Sequence, residues 1–112
     1  MKRTLRLTSA TDFKRVRRHG KSFAHPLVVL IVLPNDLKIS RFGVSAGRSV
    51  GNAVQRNRAK RQLREIIRPL TSAIPPGWDI VLLARSGCAK TQFHEIKAAT
   101  TELLIKAQLF QE

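Results

Sequence analysis

The sequence predicts a single domain of the α+β or mixed-sheet class, with its elements in the order α-β-β-α-β-α. Two segments, 52–68 and 91–107, carry apolar residues at helical spacing. Two others, 27–33 and 78–84, are aliphatic runs of strand length. No repeat or long linker divides the chain, and 112 residues with 43% hydrophobic content suffice for one core. We therefore expect one domain over residues 1–112.

The first helix is predicted by the Ser-Ala-Thr-Asp sequence at 9–12, which is typical of a capping box. The serine would be the N-cap and the aspartate would reach back to it. The helix should run to about His19, with Phe13 and Val16 one turn apart and facing inward. Gly20 is expected to end it in a left-handed conformation.

The strands follow from aliphatic runs bounded by turn residues. Residues 27–33 predict a strand partly buried on both faces, with Pro26 at its start or edge. A turn is expected at 34–36, and Arg41–Ala46 should then be the antiparallel partner strand. Residues 78–84 predict a third strand after a Pro-Pro-Gly break. A final amphipathic helix has the apolar face Phe93, Ile96, Ala99, Leu103, Leu104 and Ala107.

The segment 48–68 contains seven Lys and Arg residues arranged with a period. Asn52 is a good N-cap for a helix, and Gly51 before it permits an unusual chain entry. An apolar stripe is expected to face the core: Ala59, Leu63, Ile66 and Ile67. The neighbouring stripe is polar and mostly cationic: Asn57, Lys60, Arg61, Arg64 and Arg68. Pro69 should stop this helix.

The cationic stripe places like charges one turn apart, Lys60 with Arg64 and Arg64 with Arg68. Such pairs destabilise an isolated helix by a few tenths of a kcal/mol each. A merely solubilising face is one interpretation, but such faces usually mix signs. The preference for arginine, whose planar guanidinium forms bidentate phosphate contacts, favours a polyanionic partner.

The net charge of +14 is concentrated in one part of the chain. Residues 1–68 hold seventeen Lys and Arg against three acids, whereas residues 69–112 are neutral. A one-sided field of this kind indicates a nucleic acid or an anionic membrane as partner. The membrane is the weaker alternative, because the apolar run 27–33 is too short to span a bilayer. In the absence of a signal-peptide pattern, we expect a cytoplasmic protein.

The sequence favours a binding protein over an autonomous catalyst. The three histidines, His19, His25 and His94, fall in separate elements with no shared spacing. The carboxylates form no metal-ligand pattern, and Cys88 has neither a disulfide partner nor other metal ligands near it. We therefore expect no catalytic residues and no metal site in the protein itself.

One long motif in the basic segment identifies a family. Gly51-Asn52-Ala53-Val54 is followed by Arg56-Asn57-Arg58 and then by Lys60, Arg61, Leu63 and Arg64. This pattern resembles the RNR signature of the bacterial ribonuclease P protein subunit. Three further stretches fall in the expected order, so that the resemblance covers nearly the whole chain: Asp12-Phe13, Gly43-Val44-Ser45 and Ile80-Val81-Leu82-Leu83-Ala84-Arg85.

The resemblance implies a single-domain α/β sandwich similar to domain 2 of ribosomal protein S5, with the RNR helix in a left-handed βαβ crossover. It implies a subunit of a ribonucleoprotein endoribonuclease that removes the 5′ leader of precursor tRNA. The catalytic RNA would carry the chemistry and bind the Mg²⁺ ions, with no cofactor held tightly by the protein. The partners would be that RNA and the leader, with no further protein required.

The resemblance also implies site residues. The RNA-binding set is Arg48, Asn52, Arg56, Asn57, Arg58, Lys60, Arg61, Arg64 and Arg68. The leader cleft, between the first helix and the sheet, would contain Phe13, Lys14, Arg17 and Arg85. Phe13 could stack on a base or simply pack in the core. The chain has Arg17, Ile31, Ser49 and Ser86 where the family often has aromatic or lysine residues, so leader binding should depend more on charge.

Two other classes of protein remain possible from the residues alone. A small ribosomal or RNA-chaperone protein would have the same size and charge but would bind RNA only structurally. A DNA-binding module is the third interpretation.

Overall fold

The computed structural model describes residues 5–111 as a four-stranded mixed sheet with three helices. The elements are α1 (Ala10–His19), β1 (Lys21–Ala24), β2 (Val28–Pro34), β3 (Arg41–Ala46), α2 (Ala53–Ile67), β4 (Trp78–Ala84) and α3 (Phe93–Lys106). The predicted α+β class is confirmed. The predicted order lacks one strand, β1, because its sequence Lys-Ser-Phe-Ala has only one large apolar side chain and no strand-like run.

The strand order is β1-β2-β4-β3. β2 is antiparallel to both β1 and β4, while β3 runs parallel to β4. The predicted antiparallel pairing of Arg41–Ala46 with the aliphatic strand is therefore wrong. A central strand is buried on both faces and needs continuous apolar sequence. Residues 78–84 satisfy that need, whereas β3 contains Arg41, Gly43 and Ser45 and forms an edge.

The chain passes from β3 through α2 to its parallel neighbour β4, which makes a βαβ crossover. Such a connection places a helix against one face of the sheet. α2 accordingly packs on β3, β4 and α3. The left-handedness of this crossover and the likeness to domain 2 of ribosomal protein S5 stay predictions.

The two faces of the sheet are covered unequally. α2 and α3 cover one face and form the larger core, in which Leu30, Leu63 and Leu103 are inaccessible to solvent. On the other face α1 covers a smaller cluster of Leu7, Val16, Ile31 and Val81. Val29 and Leu83 lie on this second face and stay half-buried. α1 alone thus does not cover the whole of this face, and the part beside the helix stays open.

The helix starts follow the capping predictions in part. Ser9 is the N-cap of α1 and accepts from the Asp12 amide at 3.5 Å. The predicted return contact of Asp12 is wrong, because its carboxylate bonds to Arg15 at 3.2 Å instead. Asn52 caps α2 through a full capping box with Gln55, both bonds being 2.9 Å. Gly51 before it has φ +143°, a conformation that favours glycine.

Gly20 ends α1, but in extended backbone with φ −78°, so the predicted left-handed conformation is wrong. Its amide still donates to the Val16 carbonyl at 2.8 Å. Glycine is required here for close approach both to the last turn of α1 and to β2. An added Cβ would lie 2.5 Å from the Val16 carbonyl oxygen, 2.7 Å from Ile31 Cγ2 and 2.9 Å from the Val32 carbonyl oxygen.

Gly20→Ala is therefore expected to lower the free energy of unfolding by about 1–3 kcal/mol, the usual cost of overpacking. Urea unfolding at neutral pH measures the change. Gly47→Ala is the matched control, because Gly47 has φ −82° and no atom within 4 Å of an added Cβ. Equal stability of the two variants would show that α1 and β2 can separate without cost.

Candidate nucleic-acid interface

The orientation of α2 is fixed by its apolar stripe. The four predicted core residues, Ala59, Leu63, Ile66 and Ile67, are all fully buried. Their burial turns the opposite side of the helix to solvent, where Asn57, Arg61 and Arg68 are exposed and Lys60 and Arg64 are half-buried. The predicted amphipathic geometry is confirmed. We call the side chains of Asn57, Lys60, Arg61, Arg64 and Arg68 the α2 basic stripe.

The α2 basic stripe is almost unneutralised. Among the described residues, Arg68 is the only cation of the stripe within 4 Å of an acid, and it bonds to Glu65 at 2.6 Å. The partner is itself exposed, so this pair contributes about 0–1 kcal/mol. Lys60, Arg61 and Arg64 have no such partner within residues 5–111. The stripe therefore presents at least three uncompensated positive charges to any ligand.

The remaining RNR residues surround the stripe. Arg48 is exposed in a short 3₁₀ turn before α2, and Asn52 uses its side-chain oxygen to cap the helix. Arg56 is half-buried and, with Asn57 and Lys60, lines a small cleft against β3. Arg58 is exposed but lies about 100° around the helix from Asn57. The structure thus groups most of the predicted set and separates Arg58 from the stripe.

A cavity of about 300 Å³ joins the α2 basic stripe to the first helix. Lys60, Arg64 and Arg68 form one wall, and Phe13 of α1 lies on the other side. Apolar side chains from the N-terminal segment and β3, Leu7 and Phe42 among them, form its floor. Arg6 also lines the cavity, and sequence reasoning missed it because its segment lacks a periodic pattern. No acidic side chain is among the described residues that line it.

Phe13 both packs in the core and lines the cavity. It is half-buried and contacts the small cluster of Leu7, Val16, Ile31 and Val81. Its ring lies over β3 at Gly43, where an added Cβ would be 2.6 Å from Phe13 Cζ. The glycine in β3 therefore makes room for the ring. The two interpretations of Phe13, stacking and packing, describe different parts of one side chain.

The other predicted cleft residues lie on α1 and just after β4. Lys14 and Arg17 are both exposed on α1, but Lys14 lies about 160° around the helix from the buried Val16 and therefore points away from the sheet. Arg85 follows β4 at the end away from α1, and its Nη1 lies 3.4 Å from the His25 carbonyl oxygen. By strand alternation Arg85 belongs to the face that carries Val81 and the half-buried Leu83. The predicted cleft residues thus do not form one pocket, and the structure separates Lys14 from this face.

One buried acid lies beneath α1. Asp79 is fully buried at the start of β4 and accepts hydrogen bonds from Arg41, Arg15 and Asn35. Burial by itself would raise the pKa of this carboxyl group. The bonds from the two guanidinium groups and from Asn35 outweigh burial and lower the pKa from 3.8 to about 2. Asp79 is therefore ionised throughout the physiological range.

The described residues contain no group of three or more His, Cys, Asp or Glu side chains that could hold a metal ion. Cys88 is buried and reduced, and burial raises the pKa of its thiol. His25 Nδ1 accepts from the Leu27 amide at 3.1 Å, a turn contact. Within 5–111, none of the helices has the length and apolar character needed to cross a bilayer.

Comparison with known proteins yields concordant matches. The family model described as Ribonuclease P matches residues 1–108. The ribonuclease P protein component of Herpetosiphon aurantiacus is 42% identical over 112 residues, which cover 100% of this chain and 91% of the relative. The RNase P protein of Staphylococcus aureus matches with TM-score 0.86 and 30% identity, over 96% of this chain and 98% of that one. The Thermotoga maritima protein matches with TM-score 0.79 and 31% identity, over 90% and 96%.

Proposed function

The chain belongs to the bacterial ribonuclease P protein family. On that premise we propose a separate RNA-binding role for each of two surfaces, the α2 basic stripe and the cleft beside α1. As a ribonuclease P protein subunit it has the RNA of that ribonucleoprotein as its partner, and the holoenzyme is an endoribonuclease of tRNA processing. We propose that the α2 basic stripe binds the catalytic RNA. We propose further that the cleft beside α1 binds the 5′ leader of precursor tRNA.

The lack of neutralising acids on the α2 basic stripe is the observation that carries the first proposal. Lys60, Arg61 and Arg64 point away from the core and lack acidic partners within residues 5–111. An RNA backbone supplies the missing negative charge and releases its own counterions on binding. Arg56 and Arg48 extend the cationic surface to the start of the helix. A rigid rod with charge on one side is suited to follow a phosphate backbone.

The leader proposal rests on the open part of the sheet face beside α1. A single-stranded segment is bound by cations that contact its phosphates and by apolar or aromatic side chains that contact its bases. Arg17 and Arg85 supply cations at two ends of this face, and Phe13 supplies one aromatic side chain. Val29 and Leu83, half-buried between them, offer apolar surface. The paucity of aromatics favours weak leader-sequence preference and strong salt dependence.

In this proposal the protein contributes affinity and the RNA subunit contributes chemistry. The Mg²⁺ ions of the reaction are assigned to the RNA, because the cations around the cavity repel free divalent ions. The protein's role is then to neutralise phosphates, which lowers the concentration of Mg²⁺ that the holoenzyme needs. Adding the purified chain to a bacterial ribonuclease P RNA should therefore permit cleavage of precursor tRNA at low Mg²⁺. A protein that binds RNA only structurally, such as a ribosomal protein, would not.

Phe13→Ala is expected to weaken binding of leader-bearing precursor tRNA by about 5- to 150-fold, since stacking on one base contributes roughly 1–3 kcal/mol. Binding of leaderless tRNA should be unchanged. Both affinities are measured with the reconstituted holoenzyme. Phe13→Leu retains apolar packing without an aromatic ring and should show most of the same loss.

Phe93→Ala is the control, because Phe93 is exposed at the start of α3 and lies outside the cavity. Equal loss for leader-bearing and leaderless tRNA in Phe13→Ala would contradict a leader role. It would assign Phe13 to packing alone.

A further inference from the structure

Asp79 joins four segments of the chain through one buried carboxylate. Its side chain is 0% exposed. Arg41 of β3 donates to both oxygens, at 2.9 and 2.7 Å. Asn35, in the loop after β2, donates at 2.9 Å, and Arg15 of α1 donates at 2.5 Å. Two of these four hydrogen bonds thus come from the sheet, one from the loop after β2 and one from the helix.

The apolar packing that holds α1 is slight. Val16 is the only fully buried residue among its ten, and Phe13 is half-buried. The exposed positions of the helix are Ala10, Thr11, Lys14, Arg17, Arg18 and His19. Full burial of one aliphatic side chain contributes about 1.5–3 kcal/mol, which is small for a helix that must hold one orientation. Two polar contacts supplement this packing: Arg15 donates to the buried Asp79, and Asp12 Oδ2 lies 3.7 Å from Arg41 Nη1 of β3. The Asp12–Arg41 pair is partly exposed and contributes about 0–1 kcal/mol, so the bond to the buried charge is the stronger attachment.

Arg15 and Phe13 hold α1 from different sides. Two residues apart on a helix, their side chains diverge by about 160° around the axis. Phe13 rests on Gly43 and faces the cavity, whereas Arg15 turns to the buried carboxylate at the other border of the helix. Contacts on opposite sides fix rotation of the helix about its own axis. Arg17 follows Phe13 by about one turn and lies on the same side of the helix, so the directions of both side chains follow from that fixed rotation.

We propose that Asp79 is a positioning residue for the leader cleft, and that it acts on the cleft through Arg15. The hydrogen bonds from Arg41 and Asn35 fix the position of the Asp79 carboxylate. The carboxylate then fixes the rotation of α1 about its axis through Arg15, without contacting RNA. Leader recognition therefore depends on a buried charge at the border of α1 away from the cavity. This inference rests on the proposed leader function of the α1 cleft.

Arg15→Gln tests the proposal while it leaves Asp79 bonded to Arg41 and Asn35. Arg18→Gln is the matched control, because it removes the same charge from an exposed position of the same helix. Hydrogen exchange of the free chain should show α1 amides exchanging about tenfold faster in Arg15→Gln than in Arg18→Gln, because the bond to the buried Asp79 is lost. The pair of Arg15 with Asp12 within the helix is lost as well, but such a pair contributes only about 0.2–0.5 kcal/mol. The amides of β2 and β4 should be unchanged.

The functional measurement uses the reconstituted holoenzyme. The preference for leader-bearing over leaderless tRNA should fall about tenfold further in Arg15→Gln than in Arg18→Gln, with equal affinity of both variants for the catalytic RNA. Equal exchange and equal preference in the two variants would overturn the proposal, since Arg15 would then act only as a surface charge.

The failure of the underlying function would be distinguishable from the failure of this inference. If the unmodified chain shows no preference for leader-bearing tRNA, the leader function is wrong. Faster exchange in Arg15→Gln would in that case still establish the attachment of α1. If the preference exists but Arg15→Gln leaves both it and the exchange intact, only the positioning role is wrong.

Discussion

Reversing two charges together, Arg61→Glu and Arg64→Glu, is expected to abolish precursor-tRNA cleavage by the reconstituted holoenzyme at near-physiological salt and limiting Mg²⁺. Both side chains belong to the α2 basic stripe, and neither has an acidic partner within residues 5–111. Neither is part of the buried core. The fold should therefore survive a change that reverses the local field.

The expected loss is large because attraction becomes repulsion. A hydrogen bond to a charged group contributes about 1.5–3 kcal/mol, so removing two predicts a loss on the order of 10²- to 10⁴-fold in affinity. Repulsion between the introduced carboxylates and phosphates adds to it. The slope of log affinity against log salt should also fall, by about 0.7–0.9 for each phosphate that the protein no longer neutralises. High Mg²⁺ should restore part of the activity, because the ions then neutralise the RNA.

Lys90→Glu with Lys97→Glu is the matched control. Both lysines are exposed, and both lie in the electrically neutral part of the chain beyond residue 68. The net charge changes by the same amount, but the position of the change differs. Cleavage should remain near the unmodified level. Equal activity of the two double variants would contradict the α2 basic stripe as the RNA-binding surface. RNA binding would then depend only on the net charge of the protein and not on where the charge lies.

The features that the sequence predicts well are local in the chain. The period of α2 places Ala59, Leu63, Ile66 and Ile67 on one side whatever the helix packs against, and all four are buried. The Asn52 cap needs only Gln55, three residues away. Trp78–Ala84 is an aliphatic run between turn residues, and its predicted bounds match the observed ones. Short-range physics alone decides each of these.

The features that sequence reasoning misses depend on residues far apart in the chain. β3 pairs with β4, although α2 separates the two in the chain, and it does not pair with β2, which directly precedes it in sequence. In the sequence, Asp79 is a single polar residue within a predicted strand. Its hydrogen-bond donors Arg15, Asn35 and Arg41 precede it by 64, 44 and 38 residues. No spacing rule connects them. Such a cluster can be found only after the strand order is known.

Gly20 illustrates a different limit. A glycine after a helix is commonly left-handed, and that frequency is the basis of the prediction. The observed reason for glycine is close approach to the Val16 carbonyl oxygen of the helix and to Ile31 and Val32 of the neighbouring strand. The requirement is steric and comes from packing. The same distinction applies to Gly43, which accommodates the ring of Phe13.

Asp79→Asn is expected to lower the free energy of unfolding by about 2–4 kcal/mol at pH 7. Removing one member of a buried ion pair commonly costs roughly 3–5 kcal/mol, because its partner stays desolvated. Here Arg15 and Arg41 are 36% and 24% exposed, so water can partly replace the carboxylate and the lower end applies. Asp36→Asn, in the exposed turn after β2, removes a carboxylate at the surface and should change stability by less than about 0.5 kcal/mol.

The decrease in the free energy of unfolding at acid pH tests whether the Asp79 charge is the cause of the stability loss in Asp79→Asn. The pKa of Asp79 is lowered from 3.8 in the unfolded chain to about 2 in the fold, so its ionisation stabilises the fold above pH 3.8. That contribution is lost as the pH falls from about 4 to about 2, and the shift corresponds to about 2 kcal/mol. Urea unfolding at several pH values should show this decline in the unmodified chain and in Asp36→Asn. In Asp79→Asn the decline should be smaller by that amount, because the stabilisation is already absent. A variant with the full decline would place the acid-sensitive charge elsewhere, and the attachment of α1 to the sheet would then need another explanation.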